Sequence, residues 1–368
     1  MQNPFVFGKA AEGVHFTDRK QDALRLSANL SHGINTVLIS PRRWGKTSLV
    51  KKVIEDVSSD EIKVVFIDIF HCKSAYDFLR TFATAVIKQT SSRMDEWISY
   101  AKGFSSKQIT MRMCFFSQIL SGRANMASSV SADSFHSKDN EKSFIGSVIC
   151  LDEFQQIAEF PDSLTFQKKL RSVWQHQQAV NYCMFGSKRH LMEKIFNDKS
   201  MPFYKFGDMM FLQKIPASEW IPFICGKFEE TGKHIREEQA ERICIYTENL
   251  SSYVQHLSWI VWYISGAEVT DQNIEDALDD LLEQNKVFFQ REVEQLTEYQ
   301  FNFLRAMADG ITTGLGRQEV LKEYRLESTS HIQSIKKALI KKGLIYEEGD
   351  SLVFDDPLFK RWILRHVH

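Results

Sequence analysis

Thr36-Val-Leu-Ile-Ser-Pro-Arg-Arg-Trp-Gly-Lys-Thr-Ser48 is the stretch that decides the fold. Its apolar start, Val37, Leu38 and Ile39, breaks into a turn that ends in Gly45-Lys46-Thr47-Ser48. A buried strand that delivers such a loop to a helix makes a phosphate cradle: backbone N–H groups ring the anion, and the helix adds the positive end of its dipole. In this reading Ser40, Pro41, Arg42, Arg43, Trp44, Gly45, Lys46, Thr47 and Ser48 line the phosphates of a nucleotide, Lys46 reaches the β- and γ-phosphates, and Thr47 holds Mg²⁺. The strict pattern has glycine where Ser40 stands, which predicts backbone strain at that position.

Downstream, Ser147-Val-Ile-Cys-Leu-Asp152-Glu153 runs apolar and then presents two adjacent carboxylates. Continuous apolar residues are the mark of a parallel strand buried on both faces, and the active groups of open α/β sheets emerge at strand carboxyl ends. Asp152 at such an end would hold the Mg²⁺ with Thr47, and Glu153 would polarise the attacking water as general base. An adjacent acidic pair points to hydrolysis as well as binding.

A third group of candidates follows the run Tyr182-Cys-Met-Phe-Gly186, which ends in Ser187-Lys-Arg-His190. At the tip of a strand beside the acidic one, Ser187 would hydrogen-bond the γ-phosphate or the attacking water. Lys188 and Arg189 read equally well as the solvated basic start of a helix. Arg171 and Arg189 are candidates by position for an arginine that completes the site.

These runs, with Lys63-Val-Val-Phe-Ile-Asp-Ile-Phe70 and residues 205–212, predict the strands of one sheet. Helical patterns at 50–57, 76–88 and 166–177 separate them, the alternation that builds a parallel α/β sheet. Residues 121–147, rich in Ser, Asn, Asp and Lys, interrupt the plan and read as a mobile insertion with an extended piece at 125–130. From Pro216 the strand signals give way to helical periodicity, with Trp259 and Trp262 assigned to packing. Residues 298–308, 316–324 and 328–342 then read as three helices. Gly343-Leu-Ile-Tyr-Glu-Glu-Gly-Asp-Ser-Leu-Val-Phe354 reads as two short strands about a Gly-Asp turn, which together make a winged helix.

At 368 residues the chain is long enough for two or three cores, and its net charge of −1 excludes a molecule-wide attraction to nucleic acid. Residues 296–368 carry eleven Lys or Arg against ten Asp or Glu. Lys336, Lys337, Lys341 and Lys342 make the third helix basic, while Glu347, Glu348 and Asp350 make the wing acidic, which disfavours a duplex backbone there. Six scattered cysteines show no metal-ligand spacing and read as free thiols. No apolar run approaches the roughly eighteen residues of a membrane span, so a cytoplasmic protein without membrane contact is expected.

Ser40-Pro-Arg-Arg-Trp-Gly-Lys-Thr-Ser-Leu49, Leu151-Asp-Glu-Phe-Gln155, Phe185-Gly-Ser187 and Asp356-Pro-Leu-Phe-Lys-Arg-Trp362 together resemble the archaeal-type ATPases. That family is placed in the STAND branch of P-loop NTPases and is related to the origin-recognition and helicase-loader AAA+ proteins. The resemblance implies an ASCE/AAA+-like parallel core at 1–215, a helical lid at 216–294 and a winged helix at 295–368. It also implies ATP or ADP with Mg²⁺ between core and lid, and a role as a regulatory ATPase switch acting on a protein partner. Phe16 and Arg19 match a box that lies near adenine in such proteins, although Asp18 and Asp22 replace its Gly and Glu. Leu250-Ser-Ser-Tyr253-Val-Gln-His256 stands where the family has Gly-x-Pro-Tyr. The alternative is a DNA-binding protein that uses the winged helix and holds a mainly structural nucleotide.

Overall fold

The computed structural model describes residues 3–17, 19–59, 62–90 and 146–366. The chain divides into two units, Arg19–Gln213 and Met1–Asp18 with Lys214–His368. The insertion expected at 121–147 lies outside the described residues except for its last two positions, Gly146 and Ser147, which belong to a strand, and the extended piece at 125–130 lies wholly outside them.

In the first unit β1 (Thr36–Ile39), β2 (Ile62–Asp68), β3 (Gly146–Asp152), β4 (Val180–Gly186) and β5 (Asp208–Phe211) form a five-stranded sheet among the described residues. The pairs are all parallel and the order is β2-β3-β4-β1-β5. Period-two alternation then assigns each strand residue to a face. Val37, Ile39, Val65, Ile67, Ile149, Leu151, Tyr182 and Met184 join one core with the helices α3 (Ala75–Thr90), α4 (Ser163–Trp174) and α5 (Arg189–Asn197). Leu38, Val148, Cys150, Cys183 and Phe185, the residues between them, are buried on the opposite face. That face belongs to α1 (Lys20–Ser31) and α2 (Lys46–Val57), which pack on each other.

The topology places the site. From β1 the chain goes out to the edge at β2, steps back through β3 and β4, and crosses β1 to reach β5. Right-handed crossovers therefore put α2 on one face and α3, α4 and α5 on the other. The direction of travel reverses between β1 and β4, and open α/β sheets bind ligands at the carboxyl ends beside such a reversal. Strand β4 lies between the loop strand and the acidic strand, so Gly186 and Ser187 emerge between the two motifs.

The second unit is helical before it becomes a winged helix. Helices α6 (Ala217–Glu229), α7 (Glu237–Tyr246), α8 (Ser251–Ile264) and α9 (Asp271–Glu294) bury Trp220, Phe228, Leu257, Val261 and Leu281. The chain's first described residues belong here too. Phe5 is fully buried against Phe223 and Phe228, and Phe7 stacks on His256 at 4.0 Å. Gln255 accepts from the Val6 N–H and donates to the His15 carbonyl, which fixes the segment along α8.

Helices α10 (Glu298–Ala308), α11 (Gln318–Glu323) and α12 (Thr329–Lys342) match the three helices expected, and β6 (Ile345–Glu348) pairs antiparallel with β7 (Ser351–Phe354). Thr297 and Ser328 cap α10 and α12 through their side chains, and Gly343 ends α12 in the left-handed region at φ 73°. A final helix, α13 (Pro357–His366), ties the winged helix to the lid helices. Its Arg361 donates to the carbonyls of Ile245 and Tyr246 at the end of α7, and Tyr253 of α8 donates to Asp356 at 2.6 Å. Phe359 and Trp362 pack on Phe289 of α9.

Cys72, Cys150, Cys183, Cys225 and Cys244 are free thiols, and Cys114 lies outside the described residues. Trp262 is buried and donates to Thr231, and Trp259 packs against Phe7 and Tyr263. Among the described residues no helix is long and apolar enough to cross a membrane.

Candidate functional site

The loop after β1 has the conformation its sequence requires, with one redistribution of strain. Gly45 lies at φ 88° immediately before α2, in the region that favours glycine, and Arg43 lies at φ 67°. Ser40 is outside that region, so the strain expected at Ser40 falls on Arg43 instead and serine fits the first position without it. No side chain caps α2, whose first turn begins at Lys46 and brings the positive end of the helix to the loop.

Lys46 is only 6 % exposed, and its ammonium donates to the Ser40 and Pro41 carbonyls at 3.1 Å each. The loop thus curls around the charge that would meet phosphate oxygens. One residue on, the Thr47 hydroxyl donates to Asp152 Oδ2 at 3.1 Å, joining two motifs that are 105 residues apart in sequence. Asp152 also accepts from the Glu153 N–H at 2.8 Å. Burial, reinforced by the neighbouring Glu153 charge, pushes the Asp152 carboxyl up to about 6; the hydrogen bonds from Glu153 and Thr47 and the Lys46 charge oppose the shift.

A hydroxyl and a carboxylate are hard oxygen donors of the kind Mg²⁺ takes, and a buried carboxylate beside another is a group that a divalent cation would return to its ionised form. Thr47 and Asp152 therefore fit the metal assigned to them.

Glu153 turns out of the strand in the left-handed region at φ 56°, a costly conformation for a residue other than glycine. Its Oε2 accepts from Ser187 Oγ at 3.0 Å and from Gln155 Nε2 at 2.5 Å. Ser187, Glu153, Asp152 and Thr47 consequently form one connected group at the ends of β4 and β3 and the start of α2. Lys188 and Arg189 take no part in it among the described contacts: Lys188 pairs with Glu159 and Arg189 with Glu193, both partly exposed. Arg171 lies over the Phe206 ring at 4.3 Å, and burial lowers its pKa.

Arg19 is 6 % exposed and in the left-handed region at φ 92°. Its guanidinium donates to the Trp44 carbonyl at 2.6 Å, to the Gln213 carbonyl at 2.9 Å and to Asp22 at 3.2 Å. It ties the phosphate loop to the last residue of the α/β unit. Neither this brace nor the role of Gln155 is legible in the sequence, beyond the place of Gln155 two residues after the acidic pair.

A family model described as "Probable winged helix domain" matches residues 287–365. A search of curated proteins finds no match. Among solved structures, a Walker-type ATPase of Pyrococcus abyssi superposes with a TM-score of 0.71 at 13% identity, over 98% of this chain and 99% of that one. The ORC2 protein of Aeropyrum pernix, in ADPNP-ADP complexes, gives 0.63 at 15% identity over 99% and 96%. The ORC1 protein of Aeropyrum pernix in complex with DNA gives 0.51 at 14% identity over 95% and 93%. The chain shares the fold of these ATPase and origin-recognition structures: a parallel five-stranded sheet with helices, followed by a winged helix at its C-terminal end.

Proposed function

We propose that the protein is a Mg²⁺-dependent ATPase that works as a regulatory switch. The observation that carries this reading is the 3.1 Å hydrogen bond between Thr47 and Asp152, with Glu153 beside it held by Ser187. It brings a phosphate loop, a metal-binding carboxylate and a base to one point of the sheet, where a P-loop enzyme needs them.

In this reading Lys46 exchanges the Ser40 and Pro41 carbonyls for the β- and γ-phosphate oxygens of ATP. Ser40, Pro41, Arg42, Arg43, Trp44, Gly45 and Ser48 complete the loop around the phosphates. Bound Mg²⁺, held by Thr47 and Asp152, supplies charge neutralisation at the phosphates. Glu153 accepts the proton of the attacking water, and Ser187 keeps its carboxylate in place. Arg19 joins the loop at Trp44 to Gln213, the residue at which the chain leaves the α/β unit, and is thereby placed to pass the state of the loop to the chain beyond. Contact of Arg19 with adenine, and of the lid with the nucleotide, rests on the family resemblance.

Turnover by the purified chain tests the proposal. ATP hydrolysis is expected with Mg²⁺ and not with excess chelator. Lys46→Ala is expected to weaken ATP binding about ten- to a hundredfold, the loss of a charge-assisted contact. Unchanged ATP affinity in that variant would remove the loop from the account.

A second reading has its own observation, the winged helix with Lys337, Lys341 and Lys342 exposed on α12. In it the nucleotide is mainly structural and α12 meets DNA. Against it, Lys336 is paired with Glu347 of the wing, whose Glu348 and Asp350 are also exposed. Replacing Lys336, Lys337, Lys341 and Lys342 by Ala would abolish a salt-sensitive DNA affinity; a wild type that binds no duplex at low salt ends this reading.

A further inference from the structure

Resting on the ATPase reading above, we propose that Gln155 is a positioning residue that fixes the general base, and that Gly186 is glycine in order to admit it. Gln155 lies in the short 3-10 turn Phe154–Glu159 that follows the acidic pair, and it is 1 % exposed. Its Nε2 donates to Glu153 Oε2, the same oxygen that accepts from Ser187. Two donors from different elements on one carboxylate oxygen set the rotation of the group. The other oxygen, Oε1, is then the one that takes the proton from water.

The other end of the amide shows that the fold does not need it. Gln155 Oε1 is buried with no hydrogen-bond partner, a condition that costs stability and that an apolar side chain of the same size would avoid. A polar group kept under those terms serves the group it does contact, which is Glu153.

Gly186 supplies an independent observation. A Cβ built there would lie 1.8 Å from Gln155 Oε1 and 3.0 Å from Met192 Sδ. Gly186 is absent from the residues with positive φ, so its backbone does not call for glycine; the space taken by the amide does. The end of β4 therefore contributes twice to the base, through Ser187 as donor and through Gly186 as clearance for Gln155.

The test compares Gln155→Met, Gly186→Ala, the double variant, Glu153→Gln and wild type in the full chain with Mg²⁺. Met keeps the length and volume of the side chain and lacks the donor. Expected for Gln155→Met are a kcat lower by about tenfold or more, affinity for a non-hydrolysable ATP analogue unchanged, and a melting temperature equal to or above that of wild type. Gly186→Ala is expected to show the same kcat loss with analogue affinity retained, because it displaces the amide with Gln155 still present. The double variant is expected to lose no more than either single one, since both act through one contact.

Wild-type kcat in Gln155→Met, with Glu153→Gln inactive, overturns this inference and leaves the ATPase reading standing. So does a kcat loss that comes with lower melting temperature and weaker analogue binding, which marks a structural role, or kcat losses that add in the double variant. A wild type without turnover, or turnover that survives Glu153→Gln, overturns the ATPase reading and this inference with it.

Discussion

A carboxylate buried beside a second carboxylate costs folding free energy, and Asp152 is in that position, 8 % exposed and next to Glu153. Its folded pKa of about 6 lies above the ordinary aspartate value of 3.8, so the folded state holds the proton more tightly than the unfolded chain. The cost is absent below about pH 4, grows as pH rises through the window up to about 6, and is fully present above it. Asp152→Asn removes the charge and keeps an acceptor for Thr47. Without nucleotide or metal it is expected to be the more stable protein at pH 8, by on the order of 2 kcal/mol, with the gain disappearing by pH 4. Melting curves of the two proteins across that range check it; a variant that is less stable at pH 8 would contradict the electrostatics assigned to the site. Lys46 and Thr47 stand out in the sequence as a Gly-Lys-Thr run after a strand, and Asp152 as the carboxylate that ends an apolar run 105 residues later, and the structure brings Thr47 and Asp152 into contact. Gln155 and Gly186 do not stand out, because the need for each is visible only when the ends of β3 and β4 lie side by side.

Among the elements, α13 does the most to join the winged helix to the lid helices. Arg361 covers the final carbonyls of α7, where a cation also meets the negative end of the helix, and lies over the Tyr246 ring at 4.6 Å. Burial lowers its pKa, and it remains charged at any physiological pH. Arg361→Ala is expected to destabilise the helical unit by about 1–3 kcal/mol, the loss of two hydrogen bonds from a charged donor to carbonyls at a helix end. Amide exchange should speed up in α7 and α13 and stay as it was in the sheet; loss of protection confined to the sheet would refute the arrangement. The strands were readable as apolar runs, and α10 was readable as a helix over 298–308, the bounds it has in the structure; its Thr297 cap was not read. Helix α13 was read only as a motif, although Leu358, Phe359, Trp362 and Ile363 have helical spacing and are all buried. The replacement of the lid motif by residues 250–256 also acquires a meaning in the structure. Tyr253 holds Asp356, Gln255 holds the segment near Val6 and His15, and His256 stacks on Phe7.

For the molecule as a whole, the order of α/β sheet, lid helices and winged helix followed from periodicity, since a parallel sheet and a helical bundle demand different spacing of apolar residues. The membership of residues 3–17 did not, because Phe5 and Phe7 are ordinary apolar residues until Phe223, Phe228 and His256 are brought around them from more than two hundred positions away. The chain enters the α/β unit at Arg19 and leaves it at Gln213, and the Arg19 guanidinium bonds both Gln213 and the loop residue Trp44. In the proposed switch, hydrolysis depends on Glu153. The most direct measurement is ATP turnover by Glu153→Gln beside wild type, with nucleotide affinity measured in parallel. The account predicts that the variant binds ATP as wild type does and turns it over at least about a hundredfold more slowly; turnover at the wild-type rate would contradict it.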